Sequence, residues 1–448
     1  MQDSHAAGAA RAPDPIEAAT MRKVAFRLVP FLILCYFIAY VDRVNAGFAA
    51  LTMNKDIGLS QAMFGIGGGL FFVAYVLFEV PSNLAMERVG ARLWIARIMI
   101  TWGIVGIATA FVIGPYTFYA SRFLLGAAEA GFFPGVILYL TYWFPKAYRA
   151  RVVATFMVAI PLSSFLGSPL SALLLQLEGA AGLHGWQWLF IVESIPAVLL
   201  GIGALALLPS RPAEARWLAP AERDWLDGAL AAERAASGAP AGHLPLWKVL
   251  TSRQVWALAL IYSGSSATSN ALSLWQPQIL KSFGLSNLET GLLNMIPFGI
   301  ASVFMILWGL RTDRTGERVW NTALPLALTS LCLALTNLTT SLPLVMVLLS
   351  LVLIGNYAIK GPFWALATEW LSPARAAAGI AAINTLSHLG TGGATSLLGL
   401  IKDRTGSFPL ALTPLVCLTA AGVVTVLVLG RKRGTPPAAE RPTAMNAV

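Results

Sequence analysis

Long apolar runs separated by short polar segments dominate the chain, and they predict twelve membrane-length helices. The first six cover Val24–Gly47, Gln61–Asn83, Arg92–Ile113, Tyr116–Tyr142, Arg151–Leu175 and Trp186–Leu208. The second six cover Gln254–Leu280, Leu288–Leu310, Val319–Leu338, Leu344–Trp370, Ala376–Ile401 and Phe408–Leu429. Runs of about 20 residues match the hydrocarbon thickness of a bilayer as helix. They lack the two-residue alternation of a barrel strand, and a helix satisfies its backbone groups within the segment. Residues 209–253 form the longest polar stretch. Within it, SRPAEARWLAPAERDWLDGALAAER reads as an amphipathic helix with Trp217, Leu218, Trp225, Leu226 and Leu230 on one side, suited to lie on cytoplasmic headgroups.

The division that follows is a tail over 1–23, a six-helix bundle over 24–208, a linker over 209–253, a second bundle over 254–430 and a tail over 431–448. The fold class is all-α, with twelve transmembrane helices in two six-helix bundles. The halves echo each other: Thr141, Trp143 and Phe144 after the fourth span match Thr368, Trp370 and Leu371 after the tenth at one constant offset. Such internal repeats are expected of two-bundle carriers with a midplane site between the halves.

Composition agrees. Of 448 residues, 57% are hydrophobic and only 12% charged, against roughly 25% charged in a soluble domain. The net charge of +10 does not point to nucleic acid, because the Lys and Arg sit between apolar runs and not on one soluble face. The loops after odd-numbered spans hold only Lys55, Lys281, Lys402 and Arg404, and the remaining loops and tails hold most of the others. That asymmetry places both termini in the cytoplasm. The first twenty residues lack the apolar centre of a signal peptide and read as a disordered cytoplasmic tail. Cys35, Cys332 and Cys417 lie inside apolar runs with neither disulfide nor metal-ligand spacing. No metal cluster, nucleophile elbow or phosphate loop appears, so an enzyme is not expected.

The turn after the eighth span, GLRTDRTGER (Gly309–Arg318), and its counterpart after the second, SNLAMERVGAR (Ser82–Arg92), resemble the loop signature of the major facilitator superfamily. Their acid–Arg pairs, Glu87 with Arg88 and Asp313 with Arg314, are expected to latch the bundles when the cytoplasmic side shuts. YVDRVNAGFA (Tyr40–Ala49), SRFLLGAAEAGFFPG (Ser121–Gly135), LHGWQWLFIVESIPA (Leu183–Ala197) and GPFWALATEWL (Gly361–Leu371) are similar to the anion:cation symporter branch, which includes galactonate, hexuronate, tartrate and phthalate carriers. The likeness covers nearly the whole chain.

An ionisable group inside the membrane costs about 2.5–3.5 kcal/mol on insertion scales and calls for a reason. Asp42 and Arg43 lie within the first span, Arg122 and Glu129 within the fourth, and Lys360 within the tenth. Glu79, Glu193 and Glu369 lie nearer span ends, where a structural role is expected. Arg122 and Glu129 are two turns apart and share a face, about 10 Å apart along the axis, while Asp42 and Arg43 diverge by about 100°. The resemblance implies anion binding and gating for Arg43 and Arg122, and proton uptake and release for Asp42 and Glu129. Guanidinium suits carboxylate because its planar fork donates two parallel hydrogen bonds.

Lys360 departs from the family pattern; facing the cavity it gives a second anion anchor, and otherwise it snorkels or pairs with Glu369. Tyr40, Tyr75, Asn270, Trp364, Asn384 and His388 complete the substrate-binding candidates, with Asn384 supported by the resemblance and His388 standing where an Asn is usual. Ile160, where sugar-acid carriers often present an amide, hints at a less hydroxylated ligand. The expected function is proton-coupled uptake of a small organic carboxylate, a dicarboxylate or sugar acid, by a monomer in the bacterial inner membrane. The partners are that anion and the lipid bilayer, and protons serve as coupling ion with no other cofactor. Anion exchange without proton coupling, or a transporter-like sensor, stand as alternatives.

Overall fold

In the computed structural model, residues 15–236, 249, 251–371 and 376–433 are described, and the ordered elements among them are helices. Six spans precede the linker: Pro15–Asp56, Gln61–Val89, Ala91–Thr109, the pair Pro115–Glu129 and Phe132–Thr141, the pair Lys146–Met157 and Ala159–Leu174, and Gly185–Leu207. Six follow it: Arg253–Lys281, Asn287–Thr315, Val319–Leu335, the pair Leu342–Ala358 and Lys360–Trp370, Ala376–Thr405, and the pair Phe408–Ala411 and Thr413–Arg433. Apart from the start of the first helix, the constant offset seen after spans four and ten carries one set of span boundaries onto the other within a few residues.

The four broken spans share a local cause. Proline has no N–H to donate and its ring crowds the carbonyl four residues earlier. Pro134, Pro161, Pro362 and Pro414 stand two to four residues beyond the breaks at Ala130–Gly131, Val158, Ile359 and Leu412. In the fourth span the break is sharpest, because Gly131 takes φ 85°, a region open to glycine. A Cβ there would lie 2.4 Å from Ser82 Oγ of the second span. Elsewhere the sequence caps its own helices: Ser286 Oγ accepts from the Glu289 N–H at 3.2 Å, and Glu289 accepts from the Ser286 N–H at 2.7 Å.

Ten helical segments among the described residues have the length and apolarity of a membrane span. The seventh and eleventh spans, Arg253–Lys281 and Ala376–Thr405, match them in length but carry runs such as SGSSATSN and GTGGATS. They tolerate this because protein surrounds them: Ser263, Ser265, Ser266, Thr268, Ser269, Thr391 and Thr395 are all buried.

Three span pairs join the bundles, one with seven, two with eleven and five with eight. Gln61 N donates to Asp403 Oδ1 at 2.9 Å, Asn294 Nδ2 to Ser168 Oγ at 2.8 Å, and Gly47 abuts the Ser273 carbonyl. Gly65 and Gly399 bring the second and eleventh spans together, a Cβ on Gly65 falling 3.0 Å from Gly399 Cα. These contacts all lie toward the loops that follow odd-numbered spans, hereafter the odd-loop face. Accordingly residues 44–50 of the first span are buried on every side, while Phe26, Arg27 and Leu34 near its other end are exposed. The bundles therefore press together at the odd-loop face.

Two expectations change. The first helix begins at Pro15, inside the segment read as a tail, because Thr20, Met21 and Val24 are buried and Tyr148 Oη donates to Glu17 Oε1 at 2.9 Å. The linker helix Pro220–Ala236 does not offer its apolar side to headgroups. Leu218, Leu226 and Leu230 are buried in the core of the first bundle, and Trp217 stacks on Trp143 with centroids 5.8 Å apart. Lys23–Glu222 at 2.8 Å and Arg149–Glu233 at 2.9 Å fasten its polar side to that bundle. Residues 237–248 and 250, the rest of the linker, lie outside the described residues, as do most of the tails.

Candidate functional site

The first span places Asp42 and Arg43 on diverging faces, and the two side chains meet different neighbours. Arg43 reaches Glu129 on the fourth span: its Nε donates to Glu129 Oε1 at 3.0 Å, and Nη2 makes a second contact with the same oxygen. The pair is largely out of water, with side-chain exposures of 14% and 4%. Aromatic rings frame the guanidinium, whose Cζ lies 4.7 Å from the Tyr40 centroid, 5.6 Å from Phe71 and 5.9 Å from Tyr75. The break at Ala130–Gly131 ends the helix directly after Glu129, so this carboxylate stands at a helix terminus inside the bundle.

Arg122 lies on the same helix as Glu129, with its Cζ 5.2 Å from Phe71, the ring that also flanks Arg43. It is buried, and its Nη1 has no hydrogen-bond partner. A buried guanidinium N–H without an acceptor is costly, and an anion would supply the acceptor. Between the two arginines is a cavity of about 20 Å³, lined also by Asn270 and Thr395 of the second bundle. It has room for about one water, so anything larger enters only when the bundles move apart.

Asp42 points away from this cavity. Its Oδ1 accepts from Asn45 Nδ2 at 2.8 Å and Ser194 Oγ at 3.2 Å, and its Oδ2 is buried without a partner. Next to Ser194, Glu193 is fully buried and accepts from Ser171 Oγ at 2.7 Å. It belongs to the interior of the bundle, two turns inside its helix, and not to a span end.

The second bundle brings Lys360 toward these groups. Lys360, buried beside the break at Ile359, lies 4.8 Å from the Tyr357 centroid and within electrostatic reach of Arg43. It does not pair with Glu369, which faces Arg318 Nε at 3.4 Å. Tyr262, Phe363 and Trp364 form a wall, with Tyr262 4.9 Å from Phe363 and 4.8 Å from Trp364. Asn270 lines the cavity, but its Nδ2 donates to Ser266 O of its own helix at 2.8 Å. His388 packs against Phe72 and Tyr75 of the opposite bundle at 5.7 and 4.9 Å, with Nδ1 unpartnered. Asn384 Nδ2 donates to Glu79 Oε1 across the bundles at 3.0 Å.

The expected latches do not join the bundles in this conformation. Glu87 and Arg88 are exposed, as is Arg314, and Asp313 faces Arg318 Nη1 at 3.7 Å within the second bundle. The physical reason is that the bundles meet at the opposite face. Sequence reasoning gave Glu79 a structural role only and passed over Tyr262 and Asn356. Counting residues from Thr141 to Thr368 would have flagged the last, since that offset carries Glu129 onto Asn356 and Arg43 onto Asn270.

A model of the Major Facilitator Superfamily matches residues 32–395. Two proteins of Agrobacterium vitis named "Putative tartrate transporter" are each 50% identical to this chain; the first alignment covers 96% of this chain and 95% of the relative, the second 93% and 96%. A quinolone resistance transporter of Acinetobacter baumannii is 37% identical over 93% of this chain and 96% of its own. Among solved structures, a D-xylose-proton symporter shares the fold with a TM-score of 0.70 at 17% identity, covering 90% of this chain and 97% of that one.

Proposed function

The chain belongs to the major facilitator superfamily and is a multi-pass membrane transporter, not an enzyme, and on that premise we propose that it imports a small organic dicarboxylate, of tartrate type, together with protons. The observation that carries this reading is the buried Arg43–Glu129 pair beside Arg122, whose Nη1 has no hydrogen-bond partner, with Lys360 of the other bundle within electrostatic reach of Arg43. A bare anion would pay a large desolvation cost in this cavity, and fixed cations offset it. With Glu129 as its partner, Arg43 is neutralised while the carrier is empty. When the substrate carboxylate takes the guanidinium, a proton on Glu129 keeps the site near neutrality. Asp42, with one oxygen free of donors, is the second proton carrier. Arg43 from one bundle and Lys360 from the other grip the two ends of a dicarboxylate, and Tyr40, Tyr75, Trp364, Asn270, Asn384 and His388 shape the space between.

The carrier works by alternating access in the bacterial inner membrane, with both termini cytoplasmic by the Lys and Arg asymmetry of the loops. In that orientation the structure is closed to the outside. The test is uptake of labelled tartrate into proteoliposomes with an inward proton gradient. Accumulation that a protonophore abolishes supports the reading, whereas accumulation insensitive to the protonophore and dependent on internal anion makes the protein an exchanger. Lys360→Ala is expected to weaken tartrate binding about tenfold, with less effect on a monocarboxylate such as lactate. Equal losses for both would remove the second anchor.

A further inference from the structure

Glu79 is an acidic side chain of the second span that accepts two hydrogen bonds from the opposite bundle. Its Oε1 accepts from Asn384 Nδ2 at 3.0 Å, and its Oε2 accepts from Thr385 Oγ1 at 3.3 Å. The residue is 5% exposed, and no salt bridge to it is found among the described residues. A buried carboxylate without a cation depends on its hydrogen bonds, and neutral donors supply them here. Two facts tie it to the transport site. Tyr75, which flanks Arg43, is one helical turn before Glu79 on the same face, and His388, which packs against Tyr75, is one turn after Asn384.

From this geometry we infer that Glu79 is a built-in stand-in for the substrate. In the empty protein it occupies donors of the eleventh span that an entering carboxylate or hydroxyl would otherwise use, and it ties the bundles together while it does so. Glu129 does the same to Arg43. Donors on both sides of the site are thus engaged from within, by one carboxylate on a guanidinium and one on an amide and a hydroxyl. Substrate enters by exchange, replacing intramolecular acceptors with its own. Glu79 is therefore a positioning residue that sets affinity and the ease of bundle separation. The affinity part rests on the organic-anion reading above; the tie between bundles does not.

Two measurements on the purified full-length protein test the inference. The first needs no ligand. Spin labels are placed at Val89→Cys and Trp320→Cys, both exposed, on a Cys417→Ser background. Glu79→Gln is expected to shift the distance distribution between the labels, and an unchanged distribution would overturn the tie. The second is tartrate affinity. Glu79→Gln is expected to bind about tenfold tighter than the parent, as a competing charged acceptor is removed, while Glu79→Asp stays close to the parent. A merely structural residue gives equal or weaker binding on substitution, and that result overturns the stand-in role. A parent protein that binds no tartrate, malate or phthalate contradicts the organic-anion reading, and the label distances still decide the tie.

Discussion

The two bundles share a backbone plan but not a charge plan. One offset relates their helices, and it carries Asp42 onto Ser269, Arg43 onto Asn270 and Glu129 onto Asn356. In the first bundle these positions hold a buried ion pair and a separate carboxyl group. In the second they are neutral: Asn356 Nδ2 donates to Ser269 Oγ at 2.6 Å, and Asn270 bonds its own helix. Each set leaves one buried oxygen without a donor, Asp42 Oδ2 in the first and Asn356 Oδ1 in the second, yet only the first holds side chains that can change charge by taking a proton. The repeat therefore supplies the scaffold, while the ionisable side chains at these matched positions stand in one half alone. The other half contributes an isolated cation, Lys360, and a wall of aromatic rings.

The largest expected effect comes from breaking the charged half. Arg43→Gln leaves Glu129 buried without its cation, a loss of about 3–5 kcal/mol for such pairs, and tartrate uptake is expected to fall more than about 100-fold. Asn270→Ala, the matched change in the neutral half, is expected to lower uptake less than about tenfold, because its amide is engaged with its own backbone. Similar losses for the two variants would erase the contrast. Initial rates in proteoliposomes decide it.

The backbone breaks offer a second contrast. Gly131→Ala forces an alanine to φ 85° and sets its Cβ 2.4 Å from Ser82 Oγ. A cost of about 1–3 kcal/mol is expected for such strain, read as a lower thermal midpoint in detergent. Gly361, beside the break in the tenth span, has open space around a built Cβ, so Gly361→Ala is expected to stay within about 0.5 kcal/mol of the parent. Equal midpoints for the two variants would mean that the break behind Glu129 is not specially constrained.

The smallest effect sits on the odd-loop face of the first bundle. His184 Nδ1 lies 2.7 Å from Glu178 Oε1 and 3.8 Å from Asp56 Oδ2. The bond to Glu178 raises the histidine above its ordinary 6.5, and the Gly185 N–H, bonded to Glu178 at 2.7 Å, together with His184 holds that carboxyl below 4.5. The histidine contribution is full below pH 6.5 and is lost as pH rises through the raised value. The Glu178 contribution is full above pH 4.5 and is lost as pH falls through the lowered one. Stability from this pair therefore peaks between the two. Both groups are exposed, so screening holds the effect to under about 1 kcal/mol. His184→Gln should flatten the upper limb of the thermal-midpoint profile, and an unchanged profile would remove the pair from the account.

Much of the architecture was legible because lipid permits few solutions. Apolar runs of helical length mark the spans, but the breaks within four of them were not read, because prolines such as Pro81, Pro196 and Pro297 lie inside helices that continue unbroken. The divergence of Asp42 from Arg43 and the shared face of Arg122 and Glu129 followed from helical geometry. What did not follow was which distant groups meet. The Arg43–Glu129 pair and the Glu79–Asn384 bond join residues far apart in sequence, and nothing local encodes either. Glu79 was given a structural role because depth was judged from the end of an apolar run, while the helix continues to Val89. The linker helix misled for another reason: an apolar face looks the same whether protein or lipid will cover it.

The central claim is that Glu129 carries a proton in exchange for its hold on Arg43. The most direct measurement compares gradient-driven uptake with counterflow in the Glu129→Gln variant, since counterflow needs binding and rocking but no net proton movement. The account predicts that gradient-driven accumulation collapses while counterflow persists at a comparable rate. Loss of both to the same degree, or survival of accumulation, would contradict it.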